Sequence, residues 1–151
     1  MKSILEVAKS LKAYSETEDC LKKNKLPIQI NGCSESQFVH FVMSLAGSHK
    51  QKIIVTYDEK RARQISADLA FFDEKSYVYP AKDFIFYNAD IHGNLLLKER
   101  MEAVRSVIKG ERATIVTTPD AFMDYLLSYD RVKKDIISRF KFDNILLNSI
   151  I

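Results

Sequence analysis

The alternation of strand-like and helix-like segments is the feature that most constrains the fold of this sequence. Two runs of consecutive apolar and β-branched residues, at 52–57 and 113–118, are typical of strands buried on both faces of a parallel sheet. A shorter strand is predicted at residues 77–79, where Pro80 stops it, and another at residues 27–32. Segments with the helical spacing of apolar residues separate these runs. The sequence therefore predicts an α/β fold with a mainly parallel sheet flanked by helices.

Each predicted helix has a stripe of apolar residues that should face the sheet or a neighbouring helix. The stripes are Ile4, Leu5, Ala8 and Leu11 in the first helix; Phe38, Phe41, Val42 and Leu45 in a helix at residues 36–45; Ala62, Ile65, Leu69 and Phe72 after the strand at 52–57; and Leu97, Met101, Val104 and Ile108 after Gly93 and Asn94. Residues with known preferences mark the helix ends. Ser15 and Asp58 are predicted N-caps, Gly110 a C-cap and Pro119 a first-turn residue, while residues 81–92 are predicted to form an irregular aromatic loop.

The segment around Gly32 lies where a phosphate-binding loop would lie, between a predicted strand and a predicted helix. The pattern G-x-x-x-x-G-K-[ST] can be placed on it from Gly32 onwards. Its second glycine then falls on Gln37, its lysine on Phe38 and its hydroxyl residue on Val39. Gln37 has a Cβ where the loop favours glycine, Phe38 cannot reach a phosphate, and Val39 cannot bind Mg²⁺. Glu35 adds a negative charge at the helix N-terminus, where a phosphate would lie.

Eight positions of this degenerate phosphate loop are the candidate site residues: Gly32, Cys33, Ser34, Glu35, Ser36, Gln37, Phe38 and Val39. From these residues the segment is interpreted as a nucleotide-binding scaffold that binds no nucleotide. The alternative is an ordinary strand–turn–helix that never bound one, and the motif by itself favours this alternative.

Length and composition are those of one globular domain with a short extension. The chain has 151 residues, of which 46% are hydrophobic and 28% charged, so it can bury a core. Its net charge of +3 permits contact with nucleic acid without indicating it. Cys20 and Cys33 have no metal-binding spacing, and the sequence has neither a signal-peptide pattern nor a run of transmembrane length. The expectation is a reduced, cytoplasmic protein with no metal site and no membrane partner.

Three short segments have an order and spacing that match a known family. They are residues 31–36 (NGCSES), residues 79–85 (YPAKDFI), and residues 99–101 (ERM) leading to residues 115–121 (IVTTPDA). Together they resemble the N-terminal end of bacterial transcription-repair coupling factors (Mfd), which is similar to the first domain of the excision-repair helicase UvrB. The resemblance covers about residues 26–127. It implies a P-loop NTPase or helicase-like fold, similar to UvrB domain 1A, with a degenerate Walker A loop.

The resemblance also implies a domain organisation and a set of partners. Residues 1–25 would be N-terminal helices, residues 26–128 the UvrB-like lobe, and residues 129–151 a linker helix and the truncated start of an inserted domain. The parent protein would be an ATP-dependent DNA translocase that displaces stalled RNA polymerase at lesions and recruits UvrA for nucleotide excision repair. ATP, Mg²⁺, DNA and RNA polymerase would bind other modules of the parent, and UvrA mainly the following domain. This chain would be a non-catalytic module without a cofactor, in contact with the other domains.

Other features of the sequence leave alternatives open. Lys60, Arg61 and Arg63 fall on one predicted helix and could contact DNA phosphates, although a solvated helix face explains them more simply. Residues 131–141 are predicted as an amphipathic linker helix and residues 142–151 as an apolar strand separated from its partners. One alternative function is a nucleotide-dependent helicase or ATPase domain that is active in its own right. The other is a small DNA-binding domain, which would need the basic cluster and the aromatic loop on one surface.

Overall fold

The computed structural model describes residues 2–72, 74–81 and 89–124. The helices within these residues are α1 (Lys2–Lys9), α2 (Lys12–Lys22), α3 (Glu35–Ala46), α4 (Glu59–Ala70), α5 (Ala89–Ile108) and α6 (Pro119–Met123), and the strands are β1 (Gln51–Val55), β2 (Ser76–Tyr79) and β3 (Ala113–Thr117). The predictions for residues 82–88 of the aromatic loop, and for everything from residue 125 onwards, lie outside the described residues.

Within the described residues, three strands form one parallel sheet in the order β1-β3-β2. α4 connects β1 to β2 at the far side of the sheet, and α5 connects β2 back to β3 in the middle. The central strand β3 is buried along its whole length, as expected for a strand that has neighbours on both sides and helices on both faces. The prediction of an α/β fold with a parallel sheet flanked by helices is therefore confirmed.

Two apolar cores lie on opposite faces of this sheet. On one face, α3 and α4 pack against β1 and β3 through the buried residues Val39, Met43, Ile54, Ala62, Ile65, Leu69 and Val116, and the α4 members of this cluster are the predicted ones. On the other face, α5 and α6 pack against β2 and β3 through Tyr79, Ala103, Ile115 and Ala121. Successive residues of a strand point to opposite faces, so Ile115 and Val116 each belong to a different core.

Three of the predicted helix ends are confirmed. Asp58 caps α4, since its Oδ1 accepts a hydrogen bond of 2.6 Å from the Arg61 amide. Thr118 caps α6, and Pro119 follows at the first helical position, where a missing N–H leaves no hydrogen bond unmade. Gly110 follows α5 with a φ of 62°, a left-handed conformation that a residue with a Cβ would adopt only with strain.

Two of the strand predictions are wrong. Residues 27–32 form no strand and do not join the sheet, because no described strand lies beside them; Ile30 stays 42% exposed. β1 is a strand, but it is buried on one face only. Lys52 and Ile54 point inward, whereas Ile53 is 60% exposed. An apolar run at the edge of a sheet has the same sequence signature as a buried central strand, since the signature records only side-chain type.

The N-terminal helices differ in phase from the prediction. α2 begins at Lys12, so Ser15 lies inside the helix, where its hydroxyl donates to the Lys12 carbonyl instead of capping the helix. In α3 the buried residues are Val39 and Met43, whereas Phe38 of the predicted stripe is only partly buried. α1 and α2 pack on the side of α3 that faces away from the sheet. The surface of α3 is therefore divided between these two helices and α4.

The buried face of α5 was predicted only in part. The helix begins at Ala89, before the predicted start after Asn94, and Leu97 of the predicted stripe is 58% exposed. Val104 of the stripe packs against the core on this face, to which the small residue Ala103 also belongs. Small side chains let a helix approach a sheet closely.

Candidate functional site

The carboxyl ends of parallel strands meet at one edge of a sheet, where α/β proteins bind ligands. In this molecule that edge is built from the residues that follow the three described strands. The predicted phosphate loop precedes α3, and the N-terminus of α3 lies beside this edge, within reach of Tyr57 after β1. The predicted phosphate loop therefore lies beside the carboxyl ends of the strands.

The segment before α3 has the geometry of an ordinary helix N-terminus. Gly32 has a φ of 80°, so it turns the chain in a conformation suited to glycine. Ser34 is the N-cap, and its amide donates to Gln37 Oε1 over 3.3 Å. A phosphate-binding loop needs a strand before it and free N–H groups within it. Here the strand is missing, and one N–H group is already bound by the Gln37 side chain.

Arg61 fixes the first turn of α3 against α4. Its guanidinium is buried, with Nη2 donating to the Glu35 carbonyl over 3.0 Å and Nη1 lying 3.5 Å from the Glu35 carboxylate. The Tyr57 hydroxyl lies 3.5 Å from the same carboxylate. The Glu35 side chain therefore places a negative charge at this helix N-terminus, beside the buried guanidinium of Arg61.

The two positions that would carry phosphate chemistry belong to the core. Val39, at the place of the hydroxyl residue, is one of the largest fully buried side chains. Phe38, at the place of the lysine, packs against the same cluster and is partly buried. Cys33 is free and exposed, and its thiol donates only a weak contact to the Ser34 carbonyl at 3.6 Å. Val39 and Phe38 therefore hold α3 against the core, and their apolar side chains have no group that binds a phosphate.

The basic cluster on α4 does not form one cationic surface. Arg61 is buried against α3, whereas Arg63 donates to Glu59 at 2.7 Å and to Glu99 at 3.0 Å. Hydrogen bonds to Glu99 and Glu59 raise the pKa of Arg63. Lys60 is exposed on the same helix. A contact between these residues and DNA stays a prediction. Because Arg61 is buried and Arg63 is bound to two carboxylates, Lys60 is the residue of the three best placed to make it.

A buried arginine, which was not predicted as a site residue, binds the groups that follow β2 at the carboxyl end of the sheet. Arg100 on α5 donates through Nη1 to the Pro80 carbonyl at 2.6 Å and to Asp124 Oδ2 at 2.9 Å, and through Nη2 to the Tyr79 hydroxyl at 2.5 Å. Its guanidinium also lies 4.2 Å from the centroid of the Tyr79 ring. Arg100 thus joins the end of β2 to α5 and to the residue after α6.

Tyr79 connects this arginine to the central strand. The Thr117 hydroxyl donates to the Tyr79 carbonyl over 2.9 Å, so the ends of β2 and β3 are held by a side chain as well as by the sheet. Burial raises the pKa of the Tyr79 hydroxyl, and the nearby Arg100 charge opposes this effect only in part. The signal in the sequence that points to this cluster is the ERM segment, whose arginine precedes the stripe residue Met101.

A second buried ion pair lies nearer the other end of the sheet. Lys52 Nζ is 2.7 Å from Glu74 Oε1, and both side chains are almost fully buried. The Thr114 hydroxyl donates to the same carboxylate oxygen at 3.0 Å. The pair joins β1 and β3 to the segment before β2, and both charges are paired and buried, so we assign it a structural role.

One cavity lies beside the predicted phosphate loop. It has a volume of about 300 Å³ and is lined mainly by apolar side chains, among them Val7, Ala8, Leu11, Ile30, Phe41 and the neighbouring Cys33. In the described part of the chain, no group of three or more His, Cys, Asp or Glu residues could hold a metal ion. No helix among the described residues is long and apolar enough to cross a membrane.

Comparison with known proteins gives no relative from which a function could be transferred. A scan against protein-family models found no match, and searches of curated proteins and of solved structures found none either. The functional conclusion therefore depends on the residues themselves.

Proposed function

We propose that this chain is a non-catalytic interaction module, equivalent to the first UvrB-like lobe of a transcription-repair coupling factor. The observation that carries the proposal is the N-terminus of α3, where core residues stand at the positions of the phosphate-binding residues. Glu35 places a carboxylate at this N-terminus, Arg61 binds the Glu35 carbonyl, and Val39 and Phe38 stand in or against the core. A helix N-terminus without phosphate-binding groups is suited to a scaffold for contacts.

Two of the three segments that resemble the family, the second and the third, support the same proposal through their contacts. Arg100, from the ERM segment, binds Tyr79 and Pro80, from the YPAKDFI segment. Thr117, from the IVTTPDA segment, binds Tyr79 as well. Residues that are distant in sequence and meet in the fold form one structural unit, so their common order and spacing has a physical basis.

In the proposed parent protein the chemistry lies elsewhere. ATP and Mg²⁺ would bind the translocase module, RNA polymerase and DNA would bind further modules, and UvrA would bind mainly the domain that follows this lobe. The protein would act in the cytoplasm, at RNA polymerase stalled on damaged DNA. This lobe would position the UvrA-binding domain relative to the rest of the parent.

The test is a comparison of UvrA capture by this chain and by a version of the parent extended by about one small domain, on the order of 100 residues. We expect strong capture by the extended protein and weak capture by residues 1–151. Equal capture by both would place the UvrA-binding surface on this lobe. Failure of both to bind UvrA would contradict the proposed function.

A further inference from the structure

The edge strand β1 has apolar surface that no described residue covers. Ile53 is 60% exposed and Val55 is 49% exposed. Ile53 is the register partner of Ile115, so both point to the face on which α5 forms the second core. α5 packs there on β2 and β3. The part of this face that lies over β1 is therefore open within the described residues.

The backbone of β1 is open along the same edge. The Thr56 amide donates to the Thr117 carbonyl at 2.9 Å, so the even-numbered residues of this segment form the hydrogen bonds to β3. The N–H and C=O groups of the odd-numbered residues Ile53 and Val55 consequently point away from β3. Among the described residues, no strand forms backbone hydrogen bonds with these groups of Ile53 and Val55.

β1 also lacks the charge that usually protects an edge strand. Natural edge strands present charged side chains or bulges, which prevent pairing with other strands. The one charged residue of β1 is Lys52, and its side chain turns inward to Glu74. An apolar, unprotected edge of this kind is suited to accept a further strand.

We propose that residues 142–151 add to β1 as a fourth parallel strand, and that residues 125–141 cross the open face over Ile53 and Val55. The occupant is thus a segment of this same chain. The proposal does not rest on the proposed function. It places residues 142–151 in this lobe and moves the start of any following domain beyond them.

The handedness of the described connections selects this arrangement. The connection from β1 to β2 runs across the sheet with α4 on one face, and the connection from β2 to β3 runs in the opposite direction with α5 on the other face. Reversing both the direction and the face keeps the same hand, as expected because about 98% of such crossovers are right-handed. A further connection from β3 to the free edge of β1 runs in the direction of the α5 connection. It must therefore cross the face of α5, which is the face left open over β1.

The sequence of the segment fits this path. A crossover between parallel strands needs about a dozen residues or more, and residues 125–141 provide that length. Residues 142–151 contain a run of apolar residues suited to a strand: Ile145, Leu146, Leu147, Ile150 and Ile151. The other free edge, at β2, would require a crossover on the face that α4 already covers.

Amide hydrogen exchange on the full chain tests the proposal. The amide of Ile54 points to β3 and serves as the internal reference, while the amides of Ile53 and Val55 point to the proposed strand. We expect Ile53 and Val55 to exchange within about tenfold of the rate of Ile54, at both low and high protein concentration. The double substitution Leu146→Asp/Leu147→Asp should abolish this protection, and the matched control Asn148→Asp/Ser149→Asp, with the same added charge, should retain most of it.

Each other outcome overturns the proposal. Fast exchange at Ile53 and Val55 beside a protected Ile54 would show that nothing pairs with this edge. Protection that grows with protein concentration would identify a second copy as the occupant. Protection that survives Leu146→Asp/Leu147→Asp would exclude residues 142–151. Because Ile54 is read in the same experiment, a variant that simply unfolds is recognised by loss of its protection.

Discussion

At the scale of single residues, Arg100 connects β2, α5 and the residue that follows α6. Its guanidinium makes three hydrogen bonds with Tyr79, Pro80 and Asp124 while it is almost fully buried. A buried charge of this kind is stable only because its donors are bound, so the groups around it depend on it in turn. Substitutions at Arg100 and Tyr79 should therefore change the free energy of unfolding and its dependence on pH.

Substituting Arg100 should therefore be costly. We expect Arg100→Ala to lower the free energy of unfolding by about 3 kcal/mol, because the Pro80 carbonyl and the Tyr79 hydroxyl lose a buried partner. Lys98→Ala, at an exposed position of the same helix, should change it by no more than about 0.5 kcal/mol. Urea unfolding measures both. A loss below about 1 kcal/mol for Arg100→Ala would show that the cluster contributes little.

Tyr79 should make the protein less stable in alkali. The folded state holds the pKa of its hydroxyl above the usual value, so above about pH 10 the unfolded state loses this proton while the folded state keeps it. The contribution is complete below that pH and is lost as the pH rises towards the folded pKa. We expect Tyr79→Phe to show a weaker fall in stability between about pH 9 and 11 than the unchanged protein. Identical pH profiles would contradict the assigned shift.

At the scale of elements, the sequence predicts strand cores and helix ends better than it predicts which face of a helix is buried. The apolar runs at β1 and β3 and the caps at Asp58 and Gly110 were predictable, because a strand core and a helix end depend on local residue type. The buried face of α5 was predictable only in part, since Val104 of the apolar stripe packs against the core but the small residues Ala103 and Ser106 are buried as well. Packing of this kind is decided by the partner surface.

The candidate site was predictable in part for the same reason. The residues Gln37, Phe38 and Val39 predict from sequence that phosphate chemistry is missing, and Val39 and Phe38 lie in or against the core. The pairing of Arg61 with Glu35 could not be predicted, because 26 positions separate the two and only the packing of α4 beside α3 brings them together. The absence of a strand at residues 27–32 depends equally on tertiary contacts, since the apolar residues there are compatible with a strand but no strand of the described residues pairs with them.

The cap of α4 allows a matched test at this scale. We expect Asp58→Ala to lower the free energy of unfolding by about 1 kcal/mol, because the Arg61 amide loses its acceptor. Asp58→Asn should cost only a few tenths of a kcal/mol, about the difference between two good caps, since the amide oxygen accepts the same bond. Equal losses for the two variants in urea unfolding would mean that the charge of Asp58, rather than the capping bond, stabilises the helix.

At the scale of the whole molecule, the two faces of the sheet are covered to different extents. α3 and α4 cover one face, and Arg61 of α4 is bound to the Glu35 carbonyl of α3. The other face is covered by α5 over β2 and β3 and remains open over β1 within the described residues. An uncovered apolar part of a sheet face is suited to contact a further segment of chain, which is the basis of the strand proposed above.

The most direct test of the central claim, that the site binds no nucleotide, is calorimetric titration of the full chain with Mg²⁺ and ATP. We predict no saturable heat at concentrations up to about 1 mM, a dissociation constant that would correspond to about −4.1 kcal/mol. Lys60→Ala serves as a control for loose electrostatic association at the surface of α4. A single saturable site with a dissociation constant below about 100 μM, or about −5.5 kcal/mol, that Lys60→Ala leaves unchanged would contradict the account.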